Sequence, residues 1–258
     1  MNKIIWTSIL LQIKQSWARP MYRFCIVIQP CLYIIMTYMM FKVSAIKNFM
    51  SFVVLGTGML TLWSSIAFSS AGDIDRERRM GTLKNIMSTP TDYRIIIFSK
   101  TLGNTLLGSL PMVIIFVITA IFFKDLFYLV NPILFIISFF EMIVSFMGIS
   151  LIFAALFTLS RKTRIFMNCM EFPIYILCGF LIPIENLPQW IRWLSWALSP
   201  TWAVKIIIMT IEGVNNIKEY IVISIILLIL TIVYFISAYI ILGLVEKRVR
   251  ITATMEIS

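Results

Sequence analysis

The chain has 258 residues, of which 60% are hydrophobic and only 13% are charged, and its mean hydropathy is +0.95. This composition is typical of a membrane protein and excludes an ordinary water-soluble core. The net charge of +10 does not indicate nucleic-acid binding, because the basic residues flank apolar runs instead of forming one patch. The chain contains no histidine and no G-x-x-x-x-G-K-[ST] motif. It therefore cannot supply a histidine-dependent catalytic or metal site, or a P-loop for nucleotide phosphates.

Residues 1–23 form the first predicted element. Trp6, Ile9, Ile13 and Trp17 recur every three or four residues, which predicts a helix that lies in the membrane interface with its tryptophan side towards the lipid. An ordinary basic leader before a first membrane span is the alternative. The stretch has no Ala-x-Ala-like site, so we expect no cleaved signal peptide.

Six apolar runs predict an all-α integral membrane protein. Each run is close to the roughly 20 residues that cross a hydrocarbon core, and the predicted spans are residues 24–41, 49–72, 101–123, 132–159, 165–184 and 220–245. The 22 basic residues are divided unevenly between the two sides of this topology. Sixteen lie on one side, and six lie on the other, namely Lys42, Lys47, Lys124, Arg192, Lys205 and Lys218. The positive-inside rule therefore places both termini, and the segment between the second and third spans, in the cytoplasm.

Residues 73–100 lie between the second and third spans and form the longest hydrophilic interval of the chain. Asp73 and Arg76 are spaced to meet on a helix that continues from the second span into water. Gly81 is expected to end that helix. Asp92, or the threonine before it, can then cap the helix that re-enters the membrane near Lys100.

A second, short helix is predicted within this interval, at residues 82–88. It would carry Leu83 and Met87 on one face. Glu77 can hold the preceding turn through charge-assisted hydrogen bonds. The predicted order is therefore helix, break, short helix, break and helix. Such a segment would project on the cytoplasmic side, where it could contact a partner protein.

Two motifs in the sequence resemble those of a known family. Residues 77–90, ERRMGTLKNIMSTP, resemble the Glu-x-x-x-Gly-Thr-Leu…Thr-Pro signature of ABC-2 type transporter permeases, and Lys100 falls where that family often has a basic residue. Residues 179–200, GFLIPIENLPQWIRWLSWALSP, resemble the family's segment after the fifth span. Both motifs look more like the drug and antibiotic-export branch than the polysaccharide branch. For the first motif, a plain charged loop that obeys the positive-inside rule is the alternative.

The resemblance implies a role for each part of the chain. The residues that would form the joint with a separate ABC ATPase are Glu77, Gly81, Thr82, Leu83 and Met87. That subunit would bind ATP and Mg²⁺, so this chain is expected to bind no cofactor. Residues 1–23 would be the family's interfacial elbow helix, and residues 1–258 a single membrane domain. One chain would be half of a pathway and would pair with itself or a similar permease, among the lipids of a bacterial cell membrane.

Residues 185–213 carry four of the seven tryptophans. Trp190, Trp193 and Trp196 occur at every third residue, and at a membrane interface such rings can anchor a short helix that dips in and turns back. The resemblance implies that re-entrant helices cap the external end of the pathway here. A passive aromatic belt is the alternative.

Glu141 and Glu171 both fall within predicted spans. A charged group near the membrane centre costs about 2.5–3.5 kcal/mol on insertion scales, so it usually faces protein or water. For each glutamate, one interpretation is a structural tie within the helix bundle. The other is a polar point that lines a substrate path.

Two classes of function fit these features. The first is the permease subunit of an ATP-driven exporter that moves an amphipathic drug, antibiotic, peptide or lipid-like substrate out of the cell, with a lipid-linked glycan as the alternative cargo. The second is an intramembrane lipid-modifying enzyme, which would need acids, bases or nucleophiles clustered at one depth. An ion-driven transporter is a weaker third hypothesis, because the sequence lacks evident inverted repeats. The exporter is the favoured interpretation, and the chain itself is then not an enzyme.

Overall fold

The structure is a computed structural model that describes residues 2–43, 53–82, 85–86, 89, 91–122, 129–159, 163–180 and 184–252. This part of the chain is almost entirely helical and contains no β-strand, which confirms the all-α prediction. The α-helices in chain order are α1 (Asn2–Trp17), α2 (Pro20–Arg23), α3 (Gln29–Val43), α4 (Leu60–Arg79), α5 (Tyr93–Gly108), α6 (Leu110–Phe122), α7 (Pro132–Leu159), α8 (Thr163–Leu177), α9 (Gln189–Ala197), α10 (Ser199–Glu212) and α11 (Ile217–Thr252). The π-helical turns Phe24–Ile28 and Val54–Met59 lead into α3 and α4.

Three helical stretches are long and apolar enough to cross a membrane within the described residues. They are Tyr93–Phe122, Pro132–Thr158 and Ile217–Lys247, and they correspond to the third, fourth and sixth predicted spans. The pair α9 and α10 would add a fourth span if it crosses as one unit. The chain is therefore a multi-pass helical membrane protein.

The helix α7 lies at the centre of the bundle, where it packs against α4, α10 and α11. The core forms around Trp63 of α4, which is 1% exposed. Its ring meets the ring of Phe146 edge-on, with 5.2 Å between the centroids, and it also contacts Phe153 and Phe180. Edge-to-face aromatic pairs add to the stabilisation that apolar burial provides, so this cluster fixes α4 against α7.

The helix of the third predicted span begins earlier than the apolar run does. It starts at Tyr93, because the side chain of Asp92 accepts a hydrogen bond from the backbone N–H of Arg94 at 2.9 Å and caps the first turn. The helix is then interrupted at Ser109, two residues before Pro111. A proline cannot donate the backbone hydrogen bond that would continue the helix, so the span consists of the two segments α5 and α6.

The helix of the fifth predicted span is shorter than the apolar run. The helix α8 ends at Leu177, and Gly179 follows it with φ 80°. Beyond it, α9 and α10 meet at Leu198 with a bend of 88°. The exposed tryptophans Trp190, Trp193 and Trp196 all lie on α9.

Candidate functional site

A cavity of about 780 Å³ lies between α3, α4 and α8. Its α4 wall is a row of small hydroxyl side chains that continues into the preceding π turn, namely Thr57, Thr61, Ser64, Ser65 and Ser69. Apolar side chains such as Met36 and Leu60 share the lining. The volume is within the usual range for small-molecule sites. The mixture of hydroxyl and apolar groups suits an amphipathic ligand.

Glu171 lines this cavity, together with the neighbouring rings of Phe172 and Tyr175. The hydroxyl of Tyr175 donates a hydrogen bond to the carboxylate of Glu171, one turn earlier on the same helix. Ser64 of α4 is a further side-chain partner of Tyr175. Glu171 is therefore held in place from its own helix at the cavity wall.

Glu141 does not line this cavity. It lies on α7 at the contact with α11, where its carboxylate accepts a hydrogen bond from the hydroxyl of Ser224 at 2.8 Å. Nearby, the hydroxyls of Ser138 and Tyr220 join the same two helices at 3.1 Å. The two glutamates thus lie in different surroundings. The hydrogen bond of Glu141 joins two helices, which fits the structural interpretation.

A buried polar node connects α1, α4 and α5, and its members are Gln12, Ser16, Asp73 and Asn104, each at most 3% exposed. The side-chain amide of Gln12 contacts the carboxylate of Asp73 and lies 2.9 Å from Oδ1 of Asn104. Asn104 donates to Oδ2 of Asp73 at 2.8 Å. Because buried polar groups are costly unless they are paired, this node fixes α1 in one place on α5.

The carboxylate of Asp73 also holds two arginines at the edge of the cavity. Its Oδ1 lies 3.1 Å from Nη2 of Arg19 and 2.9 Å from Nη2 of Arg76. One turn further on, Arg79 pairs with Asp75 at 2.8 Å. The sequence predicted the pair of Asp73 with Arg76, whereas the contact with Arg19 depends on the position of α1.

The predicted joint residues lie just beyond this node. Glu77 is 6% exposed and forms an ion pair with Lys100 of α5. The helix α4 then ends at Arg79, and Gly81 has φ 72°, a backbone conformation that glycine adopts without strain. The hydroxyl of Thr82 donates to the backbone carbonyl of Glu77 at 3.3 Å.

The remaining two joint residues, Leu83 and Met87, lie outside the described residues. Around the described part of the joint is a groove of about 770 Å³. Its walls are α1, the end of α4 and the beginning of α5, and they include Leu11, Met80, Thr82 and Lys100. The groove and the cavity share Arg19 and Arg76 in their linings, so the two concave surfaces are adjacent.

Arg78 connects the joint to the central helix. Its guanidinium donates to the backbone carbonyl of Phe157 at 3.2 Å and to that of Thr158. These carbonyls belong to the last turn of α7, where a helix leaves its carbonyls without partners of its own. The hydroxyls of Tyr93 and Thr158 also lie 3.2 Å apart, so the end of α7 is attached to both α4 and α5.

The sequence reasoning missed Gln12, Ser16 and Asn104. A usable signal was present, because Gln12 and Ser16 are one helical turn apart and Asn104 is a strongly polar residue inside an apolar span. Polar side chains in such positions often join helices through hydrogen bonds. The residues that were expected to form one lipid-facing side of α1 do not all face the same way. Trp6 and Trp17 are exposed, whereas Ile9 is buried against α5.

These features define a helical membrane protein with a polar cavity beside a structured, charged joint. The chain matches the sequence model of the ABC-2 type transporter family over residues 4–211, and it therefore belongs to that family. No curated protein gave a significant match. Members of this family are typically non-enzymatic transmembrane subunits that work with an ABC ATPase. Within the described residues, no group of three or more Cys, Asp and Glu side chains could hold a metal ion.

Proposed function

We propose that the chain is the permease subunit of an ATP-driven exporter. In this proposal a separate ABC ATPase binds ATP and Mg²⁺ and docks on the cytoplasmic groove beside the joint. The substrate occupies the cavity between α3, α4 and α8. Two permease chains, either identical or similar, form the complete pathway in a bacterial cell membrane.

The observation that carries the proposal is the continuity of α4. The same helix, with its preceding π turn, supplies the hydroxyl wall of the cavity and then extends to the joint at Gly81. A force applied near the joint therefore acts directly on the cavity wall, because an α-helix is a stiff element with a rise of about 1.5 Å per residue.

The contacts around α4 support a shared movement of its neighbours. The polar node links it to α1, the Glu77–Lys100 ion pair links it to α5, and Arg78 links it to the end of α7. With one ATPase subunit on each permease chain, closure of the two subunits would move these helices together. Such a rigid-body rearrangement is a common way to switch the opening of a binding site.

The remaining parts of the proposal concern the membrane. The proposal keeps six spans, and the exposed Trp6 and Trp17 support α1 as an interfacial elbow helix. The bend of 88° between α9 and α10 supports a re-entrant segment at the external end of the pathway. The cytoplasmic position of both termini rests on the positive-inside rule.

The cargo that the cavity supports is amphipathic. The hydroxyl row of α4 offers hydrogen bonds, whereas Met36, Leu60 and Phe172 offer apolar contact. We assign the chain to the drug and antibiotic-export branch because of its Gly-Thr-Leu and Asn-Leu-Pro motifs. A peptide or lipid-like substrate would suit the same lining.

The experiment is co-purification of the chain with a candidate ABC ATPase from the same genome, followed by reconstitution in proteoliposomes. We expect a stable complex whose ATPase activity responds to amphipathic compounds. Leu83→Asp should reduce the amount of ATPase that co-purifies with the chain and abolish the stimulation of ATPase activity by amphipathic compounds. The reason is that a charge would replace the proposed apolar docking contact. Leu83→Met, which keeps the apolar volume, should behave like the parent. An ATPase that neither binds the chain nor changes its activity with it would refute the proposed function.

A further inference from the structure

We infer that the cavity recognises a cargo with a positively charged group, which binds at Glu171 among the aromatic rings of α3 and α8. The inference deepens the proposed function and rests on it, since it names the chemistry of the substrate in the same cavity. The class of cargo is an amphipathic cation, such as an apolar body that carries an amine, guanidinium or quaternary ammonium group.

The first argument is the contrast between the two glutamates within predicted spans. Glu141 accepts a hydrogen bond across a helix contact, from Ser224 of α11. In the part of the chain that the structure describes, the hydrogen-bond partner of Glu171 is Tyr175 on its own helix. Glu171 therefore ties no second helix directly. Its carboxylate lies on the cavity wall, where a ligand can reach it.

The second argument is the character of the neighbouring side chains. Tyr33, Phe172 and Tyr175 all line the cavity with Glu171. Tyr33 is positioned by Gln29, which donates to its hydroxyl at 2.8 Å. Aromatic faces attract cations through the ring quadrupole, and a carboxylate beside them adds a full negative charge. Together these groups form the kind of site that selects a cation over an anion.

The third argument is the state of the positive charges at the cavity edge. Arg19 and Arg76 share the carboxylate of Asp73, and Arg79 pairs with Asp75. The two carboxylates offset two of the three positive charges, and each arginine is already paired with a carboxylate. The partner of Tyr175 on α4, Ser64, is twelve residues before Arg76, which corresponds to about 18 Å along the helix. Tyr175, the partner of Glu171, thus meets α4 well before the position of the arginines.

The test uses two ions of matched size and shape but opposite charge, tetraphenylphosphonium and tetraphenylborate. Their binding to the purified full chain in lipid nanodiscs is measured by equilibrium dialysis, with protein-free nanodiscs subtracted. We expect the cation to bind the parent chain more tightly than the anion does. Tetraphenylphosphonium has no hydrogen-bond donor, so Glu171→Gln removes only the charge–charge attraction. At about 6–12 Å and an effective dielectric constant of about 20, this loss should weaken cation binding by about 10- to 100-fold. Glu171→Asp, which keeps the charge, should retain most of the affinity.

Two further variants keep the test decisive. Glu141→Gln is the matched control and should leave cation binding unchanged. Tyr33→Leu should weaken cation binding by about 2- to 30-fold through the lost cation–π contact. This variant replaces Glu171→Gln in the test if Glu171→Gln does not fold. The inference is overturned if the cation does not bind, if the anion binds equally well or better, or if Glu171→Gln binds like the parent. These measurements need no ATPase, so failure of the proposed function would appear separately, as loss of complex formation in the co-purification.

Discussion

Replacement of Asp73 by asparagine is the sharpest perturbation that the structure suggests for the cytoplasmic side. The carboxylate accepts from the amides of Gln12 and Asn104 and pairs with Arg19 and Arg76. An asparagine of the same shape carries no charge, and its NH₂ group has to face either the two amides or the two guanidinium groups. We therefore expect Asp73→Asn to loosen α1 from α5 while the transmembrane core stays intact.

The magnitude follows from burial and pairing. Removal of one partner of a buried ion pair costs about 3–5 kcal/mol. The side chains of Arg19 and Arg76 are 34% and 20% exposed, so solvent offsets part of the loss. We expect the free energy of detaching α1 to fall by about 2–3 kcal/mol, which is a change of about 30- to 150-fold in the opening equilibrium.

The assay is hydrogen–deuterium exchange of the backbone amides of α1, with the chain in lipid nanodiscs. Local opening is what such exchange reports, so the α1 amides should exchange faster by the factor given above. Asp75→Asn is the matched control, two residues away on α4. Its pair with Arg79 joins side chains that are 19% and 56% exposed, and such pairs contribute only about 0–1 kcal/mol.

Two results would refute this reasoning. If Asp73→Asn and Asp75→Asn accelerate exchange in α1 equally, the polar node does not hold the helix. If Asp73→Asn instead accelerates exchange throughout α4 and α7, the residue supports the whole bundle and not the position of α1. A selective effect on α1, together with weaker coupling of ATP hydrolysis to export, would connect the node to the proposed movement.

Two other predictions concern the joint and the topology. Gly81→Val should lower export by the reconstituted complex without loss of membrane insertion, because φ 72° costs a β-branched residue about 1–3 kcal/mol. Gly81→Asn is the control, because asparagine adopts a positive φ more readily than most residues do, and equal export by both variants would contradict the role of the joint. Cysteines placed at Ser88 and Ser160 should react with impermeant reagents only from the cytoplasm, and one at Asn186 only from outside. External labelling at Ser88 would reverse the topology.

Local sequence signals were sufficient for the helix ends between the second and third predicted spans. The charged run after the second apolar segment predicted a helix that continues beyond the membrane, and α4 extends to Arg79. Gly81 and Asp92 marked the following break and the next helix start, and the structure has a positive φ at the first and a side-chain cap at the second. Such features depend on the backbone preferences of one or a few neighbouring residues, which is why a single sequence reveals them.

Long-range pairing was beyond the reach of the same signals. Gln12 meets Asn104 across 92 positions of sequence, and no periodicity within α1 or α5 specifies that contact. The close approach of the two helices at Gly103 decides it, because a Cβ there would lie 3.1 Å from the backbone carbonyl of Ile9. Polar side chains on two faces become partners only after the crossing point of the helices is known.

The two glutamates illustrate the same limit for function. Glu141 and Glu171 each stand in an apolar run, and the intramembrane cost of a carboxylate applies equally to both. Their roles separate only through the rotation of α7 and α8 about their axes, which turns Glu141 towards Ser224 and Glu171 towards the cavity. That rotation is set by packing of the whole bundle around Trp63. The chemistry of the cavity is therefore a consequence of the core, and substitutions in the core should change cargo choice as well as stability.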